Sequence, residues 1–164
     1  MTVAGIPMRW IALAAAGVLA FAAGLWLLLT PPPGPAMAFA DPDDAGLVER
    51  GGQVYAEACA ECHGDRLQGQ PDWRTRKPDG RLPAPPHDAT GHTWHHNDAT
   101  LIGITRLGPG GFSGTDYQSD MPAYAGVLSD ADIVAVIAFI KSTWPAEIRA
   151  RQAQLNRQAQ GQAR

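Results

Sequence analysis

The tightest constraint on this chain is the run Cys59-Ala60-Glu61-Cys62-His63. It is a C-x-x-C-H motif, the spacing at which a c-type haem is attached. Each thiol can bond to one of the two vinyl groups of a single porphyrin, and the histidine then stands under the iron as proximal ligand. The chain has no other cysteine, so no four-sulfur zinc site can be completed. A disulfide closing so short a loop leaves the adjacent histidine unexplained. A redox-active C-x-x-C pair calls for a βαβ pattern around it, and none is visible. Among 164 residues, 18 glycines and 14 prolines point to a loop-rich domain with few long helices. Such a domain has a modest apolar core of its own, and a large flat cofactor supplies much of the rest.

The formal net charge of -3 gives no case for nucleic-acid binding. Trp10 to Leu29 is an uninterrupted apolar run preceded by Arg9. Roughly 20 such residues cross a bilayer core, so residues 1–30 are expected to form a transmembrane anchor. Arg9 on one side and Asp41, Asp43 and Asp44 on the other place the N-terminus inside. The folded domain then stands on the periplasmic or extracytoplasmic face of the cytoplasmic membrane. The alternative is a cleaved signal peptide, with Ala36-Met37-Ala38 or Ala38-Phe39-Ala40 as the cut. The apolar run is longer than the usual h-region of about 7–15 residues and lies farther from those sites. Residues 31–42, rich in proline, read as a stiff linker.

The domain is expected over residues 43–144. Asp43-Asp44 is an N-cap candidate. Leu47, Val48, Gly51, Val54, Tyr55, Ala58 and Cys59 recur at helical spacing, so this helix delivers the first cysteine from its C-terminal end. Asp65 to Pro86 shows no periodicity. Arg66, Arg74, Arg76, Lys77 and Arg81 make it positive, as a solvated loop or as a docking patch for an acidic redox partner. Asp98 is the expected N-cap of a short helix from Ala99 to Leu107. The glycine-rich run Gly108 to Gly114 is expected to be loop. Ser129-Asp130-Ala131-Asp132 approximates a capping box for an apolar helix reaching about Trp144. Pro145 can open a further helix, and residues 145–164 read as a solvated helical or disordered tail, able to lie against an anionic surface. No strand pattern or repeat is present, so the fold class is all-α.

Helix, C-x-x-C-H, long loop, short helix, Met121-Pro122 and C-terminal helix together resemble a class I c-type cytochrome, over about Asp43 to Trp144. The resemblance implies the cytochrome c fold, one covalent haem c and electron transfer without catalysis. Cys59 and Cys62 would form the thioethers, and His63 and Met121 would be the axial ligands. Met121 is also the only methionine within the domain, since Met1, Met8 and Met37 precede it. An isolated methionine elsewhere is ordinary core filler. With both axial positions filled, the iron has no open site for substrate. The resemblance further implies a proline carbonyl on the proximal histidine, with Pro85 the best match and Pro83 and Pro86 competing. Gly51 and Tyr55 match the small and aromatic positions of the family's first helix, which makes Val136 and Phe139 the facing residues. The implied partners are redox proteins of the membrane or periplasm, met either by a tethered carrier or by a fixed subunit of an oxidase or dehydrogenase complex.

The segment Gly91-His92-Thr93-Trp94-His95-His96 departs from the plainest family members. Trp94 either donates its indole N–H to a haem propionate or is simple core packing. His87, His92, His95 and His96 raise a copper or zinc site, or a sensing module built on one. Adjacent His95 and His96 will tend to point different ways, however, and no carboxylate or thiol is dedicated to them. His92 is also a conceivable competing distal ligand.

Overall fold

The computed structural model describes residues 39–162. The apolar run Trp10 to Leu29 and the proline run after it lie outside the described residues. No helix among the described residues is long and apolar enough to cross a membrane. Within this range the chain forms helices α1 (Ala45–Ala58), α2 (Ala60–His63), α3 (Asp98–Ser113), α4 (Asp130–Ser142) and α5 (Ala146–Gln162), with a 3₁₀ turn at Thr93–His95. There is no strand among the described residues, only an isolated bridge between Ala125 and Leu128.

α1 starts where its side chains can cap it. Asp44 accepts a hydrogen bond from the Leu47 N–H at 3.0 Å, satisfying one of the amides that a helix start leaves unpaired. At α4, Ser129 Oγ accepts from the Asp132 N–H at 3.1 Å. The Asp132 carboxylate meets the Ser129 hydroxyl at 2.8 Å, an aspartate version of the capping box.

These two helices cross at Gly51. A Cβ placed there would lie 2.0 Å from the Ala135 carbonyl oxygen and 2.8 Å from Phe139 Cβ, so only glycine admits the approach. The Tyr55 ring packs on Phe139 with centroids 5.4 Å apart. Phe139 therefore faces the glycine and the tyrosine as expected. Val136 is buried in the core, but the backbone of Ala135 is what Gly51 meets. α4 is apolar almost all round because it is nearly enclosed: Ile133, Val136, Ala138 and Ile140 are each 3 % exposed or less. Burying each branched side chain of this kind stabilises the fold by about 1.5–3 kcal/mol.

α3 corrects two expectations. Its N-cap is Asn97, whose side chain accepts from the Thr100 N–H at 2.9 Å; Asp98 is the first helical residue and is buried. The run after Leu107 is not loop either. The chain kinks at Gly108 (φ 70, ψ 159) and resumes helix to Ser113. Pro109 is tolerated because it opens the second segment, where an N–H is not needed. Without that N–H the Thr105 carbonyl loses its helical partner, and the Tyr124 N–H donates to it instead at 3.1 Å. Ala125 N–H takes the neighbouring Arg106 carbonyl at 2.9 Å.

α5 is a docked helix and not a solvated tail. Gln152 is 1 % exposed. Its Nε2 donates to Asp98 Oδ1 at 2.7 Å and to the His96 carbonyl at 3.2 Å. Asn156 Oδ1 accepts from the Asp98 N–H at 2.7 Å. Asp98 also receives Lys141 Nζ on both oxygens at 2.9 Å and the Ala40 N–H at 3.2 Å. One buried carboxylate thus joins the head of α3, the middle of α5, the end of α4 and Ala40.

Candidate functional site

The site is built where α1 stops. Ala58 is its last residue, Cys59 closes it by donating its N–H to the Tyr55 carbonyl, and the single turn α2 then carries Cys62 and His63. Cys59 is half-buried, Cys62 exposed and His63 buried. Neither thiol is in a disulfide. Burial, with Cys62 alongside, pushes the Cys59 thiol up to about 11. That is opposite to the depressed value of a redox-active C-x-x-C cysteine. The Tyr55 hydroxyl donates to the Gly64 carbonyl at 2.9 Å, fixing the far end of α2 to the last turn of α1.

The chain then turns sharply and returns twenty-two residues later. His63 Nδ1 lies 2.8 Å from the Pro85 carbonyl, so its Nδ1–H donates there and Nε2 keeps its lone pair. Burial lowers the His63 pKa, and the Pro85 bond opposes this only in part, which keeps the ring neutral as a metal ligand must be. Pro85 reaches the histidine because two strips of backbone run side by side. Gly69 N–H donates to the His63 carbonyl at 2.8 Å, Gln70 N–H to Ala84 O at 2.9 Å, and His87 N–H to Leu67 O at 2.8 Å. Gly69 adopts φ +67, and a Cβ there would fall 2.5 Å from Pro86 N, so the strips could not close with any other residue. The competing Pro86 carbonyl is turned to the Thr93 hydroxyl at 3.4 Å.

Met121 sits half-buried in the loop before α4. The bonds from Tyr124 and Ala125 to the kink of α3 fix that loop on one side. The Tyr124 hydroxyl donates to the Ala58 carbonyl, next to Cys59. The fold therefore ties the Met121 segment to the end of the helix that delivers the cysteines.

Trp94 lies in the 3₁₀ turn with its ring stacked on His95 at 3.7 Å and the Arg151 guanidinium 5.0 Å from its centroid. Its Nε1 is buried with no hydrogen-bond partner among the described residues. A buried indole N–H wants an acceptor, and a porphyrin carboxylate would supply one. The orphaned donor, the paired free thiols and a neutral imidazole of fixed tautomer together fit a haem c.

Of the other histidines, His92 and His96 meet edge-on at 5.8 Å. His87 stacks on His63 at 4.0 Å and meets Thr93 Oγ1 at 2.8 Å. Burial, reinforced by His63 and His92, holds its pKa well below the usual histidine value. His92 is exposed and stacks on Trp73 at 5.3 Å. Among the described residues no group of three or more His, Cys, Asp or Glu side chains is arranged to hold a metal ion. The positive loop is also partly committed internally, since Lys77 and Arg81 both reach Asp120 at 2.5 Å.

Comparison with known proteins agrees with this geometry. The chain is 34% identical over 97 residues to "Cbb3-type cytochrome c oxidase subunit CcoP" of Azospirillum sp. (strain B510), covering 59% of this chain and 29% of that protein. It is 45% identical over 49 residues to "Cytochrome bc1 complex cytochrome c subunit" of Mycobacterium leprae, covering 30% of this chain and 16% of the relative. The protein of the same name from Mycobacterium tuberculosis is 43% identical over 54 residues, or 33% and 19% of the two chains. The chain thus spans less than a third of the length of each of these relatives. No solved structure matches it. The Cytochrome c family matches over residues 48–144, more than half of the chain and the stretch that holds C-x-x-C-H, Pro85 and Met121, so the chain belongs to the cytochrome c family, whose members bind haem c covalently.

Proposed function

We propose that this chain carries one covalent haem c and passes single electrons between respiratory redox partners. The observation that carries this reading is the His63 Nδ1–H bond to the Pro85 carbonyl at 2.8 Å, made beside two free thiols. Cys59 and Cys62 would tether the ring, and His63 and Met121 would hold the iron. The haem supplies the chemistry, a one-electron exchange between ferric and ferrous iron. The residues do the positioning. Pro85 orients the imidazole, Tyr55 and Tyr124 brace the ends of α1 and α2, and Trp94 offers its indole N–H to a propionate. Two protein ligands leave no open coordination position, which favours electron transfer over substrate chemistry.

The apolar run at residues 10–29 supports tethering to the cytoplasmic membrane, with the haem domain on its outer face. A tether raises effective concentration at partners in the same membrane. The relatives named as oxidase and bc1-complex subunits favour a second reading, a fixed haem subunit of such a complex. A purified chain that exchanges electrons freely with small c-type cytochromes supports the carrier; exchange only within an intact complex supports the subunit. The primary test is a pyridine haemochrome assay with spectra in both redox states. One haem c per chain is expected, with a sulfur-to-iron absorption at the red end of the oxidised spectrum that Met121→Ala abolishes. A colourless matured protein overturns the proposal.

A further inference from the structure

The excursion between Gln70 and Ala84 has a built tip. Lys77 N–H donates to the Arg81 carbonyl at 2.8 Å and Gly80 N–H to the Lys77 carbonyl at 2.9 Å. Asp79 Oδ1 takes the Arg81 N–H at 2.9 Å. This tight turn sets Lys77 and Arg81 side by side, and both reach across to one carboxylate. Lys77 Nζ meets Asp120 Oδ2 and Arg81 Nη1 meets Asp120 Oδ1, each at 2.5 Å. The Arg76 guanidinium lies 5.9 Å from the Tyr117 ring centroid, a second contact between the same two segments.

Asp120 directly precedes Met121, so residues 121–123 are held at both ends. The downstream anchor is made of the backbone bonds from Tyr124 and Ala125 to the kink of α3. The upstream anchor is ionic, and its side chains are 38% to 44% exposed. Residues 114–118 are exposed throughout; Gly114 and Thr115 bond back to the end of α3, and Tyr117 approaches Gly110 and Arg76. Among these contacts the ionic pairs at Asp120 are the ones that act directly beside Met121, so their loss would loosen the stretch leading into it.

Resting on the axial assignment above, we infer that Lys77, Arg81 and Asp120 form a clasp that positions Met121 and that loosens as ionic strength rises. The excursion then serves both sides of the site. Its exit carries Pro85 to His63, and its tip carries two cations to the residue before Met121. Exposed ion pairs are screened by salt, whereas the backbone bonds at Tyr124 and Ala125 are not, so salt acts on one end of the Met121 segment only.

The test uses the full haem-loaded chain in its oxidised form, with imidazole as the competing ligand. Wild type, Asp120→Asn, Lys77→Gln/Arg81→Gln and Asp120→Glu are compared by the rate of imidazole binding and by the sulfur-to-iron absorption. Two exposed pairs, each worth at most about a factor of five, put the expected acceleration in Asp120→Asn and in the double variant at roughly five- to thirty-fold. Asp120→Glu is expected to restore the slow rate. Raising salt to about 0.5 M should accelerate wild type and leave both weakened variants nearly unchanged. Substitutions at these exposed positions leave the core intact, and unchanged far-ultraviolet dichroism checks this. A wild type that shows the absorption, with variants that bind imidazole within twofold of it, overturns the clasp alone. A wild type that lacks the absorption overturns the axial assignment and the clasp with it.

Discussion

Replacing Lys141 with methionine should destabilise the domain far more than an ordinary core substitution. Lys141 and Asp98 have side chains 6% and 4% exposed, so water cannot take over from a missing partner. The Asp98 carboxylate accepts four hydrogen bonds from three groups: Lys141 Nζ on each oxygen, Gln152 Nε2 on one and the Ala40 N–H on the other. Lys141→Met removes two of these bonds and the one cation among the three groups. Breaking a buried pair in this way costs about 3–5 kcal/mol, a large share of the roughly 5–15 kcal/mol that holds a typical domain together. The assay is urea unfolding of the haem-loaded protein followed by far-ultraviolet dichroism. At a slope of about 2 kcal/mol per molar urea, the midpoint should fall by about 1.5–2.5 M. Asp98→Leu should cost a comparable amount. The double variant should cost much less than the sum, because it leaves no unpaired charge. A Lys141→Met protein within about 1 kcal/mol of wild type, or strict additivity in the double variant, refutes the argument.

Other expected outcomes follow from the same packing. Gly51→Ala puts a methyl 2.0 Å from a backbone oxygen, which α1 and α4 can relieve only by separating; a loss of about 2–3 kcal/mol is expected by thermal or urea unfolding. Gly108→Ala forces an L residue to φ 70, ψ 159, a region essentially reserved for glycine, and should cost roughly 1–3 kcal/mol while weakening the sulfur-to-iron absorption. Arg50 lies 2.8 Å from Asp132, and hydrogen bonds from Arg50 and then Ser129 hold the Asp132 carboxyl below its usual 3.8. A depressed folded value means the stabilisation is complete above 3.8 and is lost as pH falls through the folded pKa. The gap in urea midpoint between wild type and Arg50→Gln should therefore close on acidification, and a gap that widens contradicts the pairing.

Periodicity made α1 and α4 legible, because each presents a continuous apolar face and each carries a side-chain cap at its start. The crossing at Gly51 and the stacking of Tyr55 on Phe139 were legible from the family pattern, although that pattern could not say that a backbone carbonyl, not Val136, would fill the contact. Pro85 was one of three nearby prolines. Only the closing of two backbone strips around Gly69 decides which carbonyl meets His63. The second half of α3 was illegible because Gly108-Pro109 does interrupt the helix, and whether helix resumes depends on what captures the carbonyls released there. The docking of α5 was hidden for a different reason. Its buried residue is a glutamine, which hydrophobic periodicity does not count, and its partners lie 54 and 56 positions away in the chain. Lys141 likewise reads as the polar end of an apolar helix until its acceptor, 43 residues distant, is known.

The Ala40 bond to Asp98 changes where the domain's mechanical edge lies. Ala40 is fully enclosed and its amide rests on the carboxylate at the head of α3. Whatever precedes it is therefore joined to the interior of the folded unit, ahead of the capping aspartates of α1. A load arriving from upstream would be borne by the same carboxylate that holds α4 and α5.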